Sequence, residues 1–129
     1  MRLPDSLQIA QWAALAAEER KAQDVLTLDL QGVTLIADYF VICSGRSTVQ
    51  VKAIAENVIE YLKKKDIKPL HQEGVRDGYW VLLDYGSVVV HVFREEERGF
   101  YSLERLWGDA RQVQMTRGED GSISHVLDG

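Results

Sequence analysis

The stretch DYFVICSGRSTVQ, residues 38–50, predicts a buried strand that turns directly into a helix. Its apolar run, Tyr39-Phe40-Val41-Ile42-Cys43, has the length of a strand and no polar alternation, which is typical of the centre of a sheet. Gly45 gives the chain room to turn, and Ser47 and Gln50 are spaced as a capping box at a helix start. Phosphate-binding loops are built in a similar way, so the pattern also suggests an enzyme that binds a nucleotide.

The known nucleotide-binding loops differ from this corner. A phosphate loop of the Walker type needs a lysine after its last glycine, whereas Gly45 is followed by Arg46-Ser47. A dinucleotide-binding loop needs three spaced glycines, and residues 38–50 contain one. Nucleotidyl transfer needs closely spaced carboxylates that hold Mg²⁺, and Asp84 stands alone on its strand face. These signals all fail, and a nucleotide-binding protein or a remnant nucleotidyltransferase is kept only as the alternative interpretation.

The remaining reactive side chains give no better case for catalysis. His71, His91 and His125 are widely separated and lack the spacing of metal ligands, and His91 is predicted to be a structural histidine within a strand. Cys43 is the only cysteine, and a thiol in an apolar strand is expected to be buried and inert. We therefore expect no catalytic residue, no metal and no cofactor, in a protein that is not an enzyme.

The elements around this corner follow from capping and periodicity. Asp5 and Gln8 predict a first helix over residues 6–21. Residues 24–30 alternate with period two, which predicts a strand with its leucines on one face. The helix that begins at Ser47 should end near Asp66, and a short strand is expected over residues 70–73. The apolar face of this helix consists of Val51, Ile54, Ala55, Val58 and Leu62.

The stretch YWVLLDYGSVVVHVF, residues 79–93, predicts a hairpin that turns at residues 84–87. Alternation places Tyr79, Val81 and Leu83 on one face and Trp80, Leu82 and Asp84 on the other. A short helix is predicted over residues 100–107, closed by Gly108, and residues 108–129 are interpreted as a mostly flexible tail. These elements predict a single α/β domain over residues 1–107, with a mixed, about five-stranded sheet packed by helices.

Composition limits the possible partners. The chain has 129 residues, of which 46% are hydrophobic, and a net charge of −5. The apolar runs are too short to span a bilayer, and the first residues lack a targeting pattern, so we expect a cytoplasmic protein without a membrane contact. The charge argues against direct sequence-specific binding of nucleic acid. Lys63-Lys64-Lys65 is interpreted as a solvated helix end rather than an RNA-binding patch.

Three segments together resemble the ribosomal silencing factor family, also called Iojap-like proteins. They are DYFVICSGRSTVQVKAIAENV, YWVLLDYGSVVVHVF and RGFYSLERLW, in residues 38–58, 79–93 and 98–107. The resemblance spans residues 22–107, and neither the first 21 residues nor the tail carries the signature. It implies a nucleotidyltransferase-like topology without catalytic residues and, usually, a homodimer. It also implies binding to the large ribosomal subunit through ribosomal protein uL14, which sterically blocks joining of the small subunit and represses translation under nutrient limitation.

The resemblance also implies candidate partner-binding residues. The six candidates are Trp80, Leu82, Asp84, Arg98, Tyr101 and Glu104. Trp80 and Tyr101 are the favoured anchors because aromatic side chains with a polar edge are frequent at interfaces. Leu82 shares the face of Trp80, which could instead pack against a helix. Asp84 is predicted to accept hydrogen bonds from turn amides. Gly45, Ser47 and Gln50 carry the signature at the corner.

Overall fold

Seven strands form one mixed sheet in the computed structural model, which describes residues 5–101, 111–117 and 123–128. In chain order, the elements are α1 (Ser6–Glu19), β1 (Gln23–Asp29), β2 (Tyr39–Gly45), α2 (Thr48–Lys63), β3 (His71–Glu73), β4 (Trp80–Asp84), β5 (Val88–Arg94), α3 (Glu95–Tyr101), β6 (Arg111–Arg117) and β7 (Ile123–Asp128). The prediction of a single α/β domain with a mixed sheet and packed helices is confirmed.

The strand predicted over residues 39–43 lies at the centre of the sheet as β2. The strand order is β3-β4-β5-β2-β1-β6-β7, and every residue of β2 is buried. β2 and β5 pair in parallel along their full length, from Tyr39 opposite Val88 to Gly45 opposite Arg94. All other neighbouring strands pair antiparallel. After β2, α2 therefore carries the chain across the positions of β5 and β4 to the edge strand β3.

Both long helices pack on the same face of the sheet. The inner side of α1 is lined by fully buried alanines, whose small side chains allow a close approach to the sheet and to α2. The five apolar residues predicted for the inner face of α2 are all buried there. Asp5 caps α1 by accepting a hydrogen bond from the Gln8 amide at 2.8 Å, as predicted. None of the helices in the described part of the chain is both long and apolar enough to span a bilayer.

The chain after β5 differs from the sequence prediction. α3 begins at Glu95 rather than at residue 100, and its first turn holds Glu95, Glu96 and Glu97, whose negative charge favours a helix N-terminus. Most of the predicted helix over residues 100–107 lies outside the described residues. β6 and β7 add two strands beside β1, within the segment interpreted as a mostly flexible tail. The five predicted strands are present, and the domain boundary at residue 107 stays a prediction.

Candidate functional site

The sheet face that points away from α1 and α2 carries large aromatic side chains. Pairing between strands aligns its residues in three rows: Trp80, Phe93 and Ser44; Leu82, His91, Ile42 and Leu26; and Asp84, Val89, Phe40 and Leu28. We call these eleven residues the aromatic face. The face of β4 predicted from alternation, with Trp80, Leu82 and Asp84 together, is therefore confirmed. Phe40, His91 and Phe93 join them only because β5 lies between β4 and β2.

Trp80 is held on this face by contacts with aromatic neighbours. Its ring stacks on Phe93 with 4.8 Å between ring centroids, and its Nε1 donates a hydrogen bond to Nδ1 of His91 at 3.1 Å. Phe93 is fully buried, whereas Trp80 is half-buried. Trp80 therefore lies at the margin of a packed layer, with its orientation fixed by two neighbours and part of its surface exposed.

His91 supports Trp80 from within the sheet. It is buried, and Phe40 packs edge-on against it with 4.7 Å between ring centroids. Burial lowers the pKa of His91 to about 4, so the ring is neutral at physiological pH and Nδ1 can accept the Trp80 hydrogen. Nε2 then carries the proton and has no hydrogen-bond partner among the described residues. The prediction of a structural histidine agrees with this geometry, and no metal-binding cluster of His, Cys, Asp or Glu occurs among the described residues.

Trp80, Leu82 and Asp84 form the exposed margin of the aromatic face along β4. Leu82 is half-buried and packs against the aromatic face. The Asp84 carboxylate accepts a hydrogen bond from the Gly86 amide at 2.7 Å, and Gly86 has a φ of 88° that favours glycine. Asp84 thus stabilises the hairpin turn, as predicted.

Arg98 lies at the opposite end of the face from Asp84. Its Nη1 donates to the Asp24 carbonyl at 2.7 Å and contacts the Ser44 hydroxyl at 3.3 Å, which ties α3 to β1 and β2. A structural role therefore accompanies its predicted role in partner binding. Tyr101 is the last residue of α3, but its side chain, like the whole of Glu104, lies outside the described residues.

An exposed apolar loop adjoins the aromatic face and was missed in the sequence analysis. Leu35 is fully exposed, Ile36 is 67% exposed and Val33 is 42% exposed. The loop is held beside the hairpin turn because the Asp38 amide donates to the Ser87 carbonyl at 2.8 Å. The available signal was the three large apolar residues, Val33, Leu35 and Ile36, in the short segment between Gly32 and β2.

The strand-to-helix corner uses its polar groups internally. The Ser47 hydroxyl accepts from the Gln50 amide at 3.1 Å, and Gln50 Oε1 accepts from the Arg46 amide at 2.7 Å. Gln50 Nε2 also donates to the Lys21 carbonyl at 3.1 Å, which joins the end of α1 to the start of α2. With the Gln23 amide oriented to satisfy its neighbours, its oxygen accepts from Arg46 Nε at 2.8 Å. The capping role predicted for Ser47 and Gln50 is confirmed, and Arg46 is directed towards β1.

Close packing at this corner favours glycine at position 45. A Cβ atom at residue 45 would lie 3.1 Å from the Val51 amide nitrogen and 3.3 Å from Ile54 Cδ1. α2 therefore approaches the end of β2 more closely than most residues would allow. The glycine serves packing between helix and strand, and the nearby amides already have partners within the protein.

Comparison with known proteins extends the resemblance over most of the chain. The family model described as "Ribosomal silencing factor during starvation" matches residues 3–126, including much of the two terminal segments in which the sequence analysis found no signature. A ribosomal silencing factor from Bacillus subtilis is 47% identical over 106 residues, which cover 82% of this chain and 90% of the relative. The chloroplastic protein Iojap of Zea mays is 31% identical over 111 residues, covering 86% of this chain and 48% of that protein.

A solved structure agrees with the fold described above. A crystal structure of a Chromobacterium violaceum protein has a TM-score of 0.79 and 36% sequence identity, and the match covers 81% of this chain and 88% of that chain.

Proposed function

The chain belongs to the ribosomal silencing factor family, and we propose that it silences ribosomes by binding the large subunit through ribosomal protein uL14. In this proposal, the bound protein occupies surface that the small subunit needs, so the two subunits do not join and translation is repressed when nutrients are limiting. The mechanism is steric and involves no bond making or breaking. The free protein is proposed to be a cytoplasmic homodimer.

The observation that carries this proposal is the exposed margin of the aromatic face. Trp80 and Leu82 are half-buried on a floor that includes the fully buried Phe93 and Ile42. A tryptophan held in one orientation loses little side-chain entropy when a partner covers it, and tryptophan is enriched among residues that dominate binding energy. This margin therefore has the properties of an interface anchor that is already ordered before binding.

The surroundings of Trp80 and Leu82 fit the rim of a protein interface. The hairpin turn at Asp84 lies at one end of β4, and the apolar loop of Val33, Leu35 and Ile36 is bonded to that turn through Asp38 and Ser87. Exposed apolar residues next to an aromatic centre favour a protein partner over RNA, because they offer no charge to a phosphate backbone. We propose that uL14 contacts Trp80 and Leu82 centrally, with Asp84, Arg98, Tyr101 and Glu104 contributing around them.

The proposal is tested by order of addition in a sucrose gradient. Purified large subunits are mixed with the protein before small subunits are added. We expect the protein to sediment with the large subunit and the peak of joined ribosomes to shrink. An undiminished joined peak, with the protein left at the top of the gradient, would contradict the proposal.

Paired variants assign the effect to the aromatic face. Trp80→Ala with Leu82→Ala should weaken binding to purified uL14 by more than about 30-fold, because loss of one central anchor typically costs about 2 kcal/mol. The matched control combines Tyr79→Ala and Val49→Ala. Tyr79 belongs by alternation to the opposite face and is 48% exposed, and Val49 is 75% exposed on α2. Equal weakening by both double variants, each checked for folding by circular dichroism, would remove the aromatic face from the uL14 site.

A further inference from the structure

The C-terminal end of α2 carries a dense group of positive charges that the aromatic face does not use. Lys63, Lys64, Lys65 and Lys68 are all exposed, and we call them the lysine patch. Asp66 is the only acidic residue between Lys63 and Lys68 in sequence. This concentration is notable because the whole chain has a net charge of −5.

The helix end does not need these ammonium groups as caps. The Leu62 carbonyl accepts hydrogen bonds from the Lys65 and Ile67 amides at 3.0 and 2.9 Å, and the Lys63 carbonyl accepts from the Asp66 amide at 2.9 Å. Backbone groups thus satisfy carbonyls that lysine side chains could otherwise have bonded. The helix dipole still favours positive charge at the C-terminal end of α2, but this effect is weak and does not by itself explain four lysines.

No lysine takes part in the ion pairs found among the described residues. Those pairs join Arg94 to Glu96 and Glu97, and the imidazole of His71 contacts the Glu73 carboxylate at 3.0 Å. Lys65 has a different contact, since its Nζ lies 4.4 Å from the centroid of the Trp12 ring and 5.3 Å from that of Tyr61. A cation over aromatic rings keeps its charge while its side chain is ordered. Among the described residues, no carboxylate forms an ion pair with these lysines, and the one acidic residue within the segment is Asp66. The patch therefore presents a net positive charge.

Two lysines of the patch line a recess in the protein surface. A cavity of about 330 Å³ is lined by Ile59, Lys63, Lys68, Pro69 and Gln72, with a lysine contributed by α2 and another by the following loop. The Leu70 amide, two residues after Lys68, donates to the Asp84 carbonyl at 2.7 Å. The segment that lines the recess is thus hydrogen-bonded, at Leu70, to Asp84 in the hairpin turn at the end of the aromatic face.

We propose that the lysine patch, which the sequence alone indicated as a solvated helix end, binds the phosphate backbone of RNA as a second contact separate from the aromatic face. Lysine ammonium groups bind phosphates as point charges, and two of them on either side of a recess can hold successive phosphates. The acidic remainder of the chain repels RNA, which confines binding to this end of α2. The choice of RNA over another polyanion rests on the proposed function, because a large ribosomal subunit presents RNA phosphates next to its proteins.

Binding of a labelled single-stranded RNA, measured by fluorescence anisotropy without ribosomes, tests the inference. Affinity should fall as salt rises from about 50 to about 200 mM, because bound phosphates release counterions. Lys63→Glu with Lys68→Glu should weaken binding by about tenfold or more and reduce the slope of log affinity against log salt by about 1.4, the value for two lost phosphate contacts on a single strand.

The matched control is Lys21→Glu with Arg76→Glu, which makes the same charge change at exposed residues outside the patch. It should keep the affinity within about threefold of the unchanged protein. Equal loss in both double variants would overturn the inference, because general repulsion would then explain the effect. Absence of RNA binding at low salt, including the case in which phosphatidylserine vesicles are bound instead, would also overturn it.

Binding to purified uL14 is measured in parallel and separates the two proposals. The Lys63→Glu, Lys68→Glu variant should bind isolated uL14 normally while its affinity for RNA falls. RNA binding that depends on the patch, found together with failure to bind uL14, would contradict the proposed function and support the lysine patch. A patch variant that loses uL14 and keeps RNA would assign the lysines to a protein contact and overturn the inference.

Discussion

The two faces of the sheet differ in the side chains that predominate at their centres. The face under the helices is formed by residues such as Val41, Val81 and Val90, all fully buried against the alanine side of α1 and the apolar side of α2. The opposite face contains Phe40, His91, Phe93 and Trp80, and its margin at β4 is half-buried.

The difference indicates how one small sheet can serve both stability and recognition. Small branched residues fill the space between closely packed layers, and their burial favours folding. Large rings instead support one another within a face, so that a side chain at the margin is ordered without being fully enclosed. Truncations on the first face should affect folding, and truncations at the margin of the second face should mainly affect binding.

The largest expected effect is on the face under the helices. Ile54 is fully buried between α2 and the sheet. Ile54→Ala should lower the free energy of unfolding by about 2 to 5 kcal/mol, because the lost methyl groups leave a cavity that the packed helix cannot close. Chemical denaturation followed by circular dichroism measures this change.

The control for Ile54 is Leu70→Ala, which truncates a side chain that is 78% exposed. It should change the free energy of unfolding by less than about 0.5 kcal/mol. Folded Ile54→Ala should still bind uL14. The comparison of the two faces fails if Ile54→Ala leaves stability intact or if the folded variant loses uL14 binding.

An intermediate effect is expected from the titration of His91. The folded protein holds the pKa of His91 at about 4, below its ordinary value of 6.5, because the charged ring would be buried. Below pH 6.5 the unfolded chain therefore binds a proton that the folded protein excludes. The contribution of neutral His91 to the free energy of unfolding should therefore be complete above about pH 6.5. It should decrease by roughly 3 kcal/mol as the pH falls to about 4. Denaturation measured across this pH range tests the prediction.

His91→Gln isolates this titration from other acid effects. Glutamine can accept the Trp80 hydrogen bond but does not titrate, so the loss of stability between pH 6.5 and 4 should become smaller. His71→Gln is the matched control, because His71 is exposed at the edge strand. If His91→Gln and the unchanged protein lose equal stability over this range, His91 is not the buried group responsible.

The smallest effect is expected at the corner that connects β2 to α2. Ser47→Ala removes the acceptor of the Gln50 amide and should lower the free energy of unfolding by about 1 kcal/mol. Affinity for uL14 should stay unchanged, because the corner supports the helix-covered face. The control Val49→Ala alters an exposed neighbour and should change stability by less than about 0.5 kcal/mol. Reduced uL14 affinity in folded Ser47→Ala would place the corner within the binding surface.

Much of the fold could be predicted from local patterns, and the exceptions have physical reasons. The caps at Asp5 and Ser47, the inner face of α2 and the alternation in β4 depend on neighbours in sequence, and all are present in the structure. The start of α3 was placed too late because three consecutive glutamates do not form an apolar periodicity. β6 and β7 were not predicted as strands, and β6 obtains its position by pairing with the distant β1.

The candidate site was only partly predictable for the same reason. Alternation placed Trp80, Leu82 and Asp84 together, but the rows that join them to Phe40, His91 and Phe93 require strands distant in sequence to pair in a particular register. The hydrogen bond from Trp80 to His91 and the lowered pKa of His91 follow from that register and from burial.

The sequence by itself determined the α/β class, the helix caps, the faces of the strands and the family, since these depend on residue types at short and regular spacings. The tertiary structure decided the parallel pairing of β2 with β5, the composition of the aromatic face and the position of the lysine patch beside a recess. The physical reason is that pairing register, burial and desolvation arise only when segments distant in sequence come into contact.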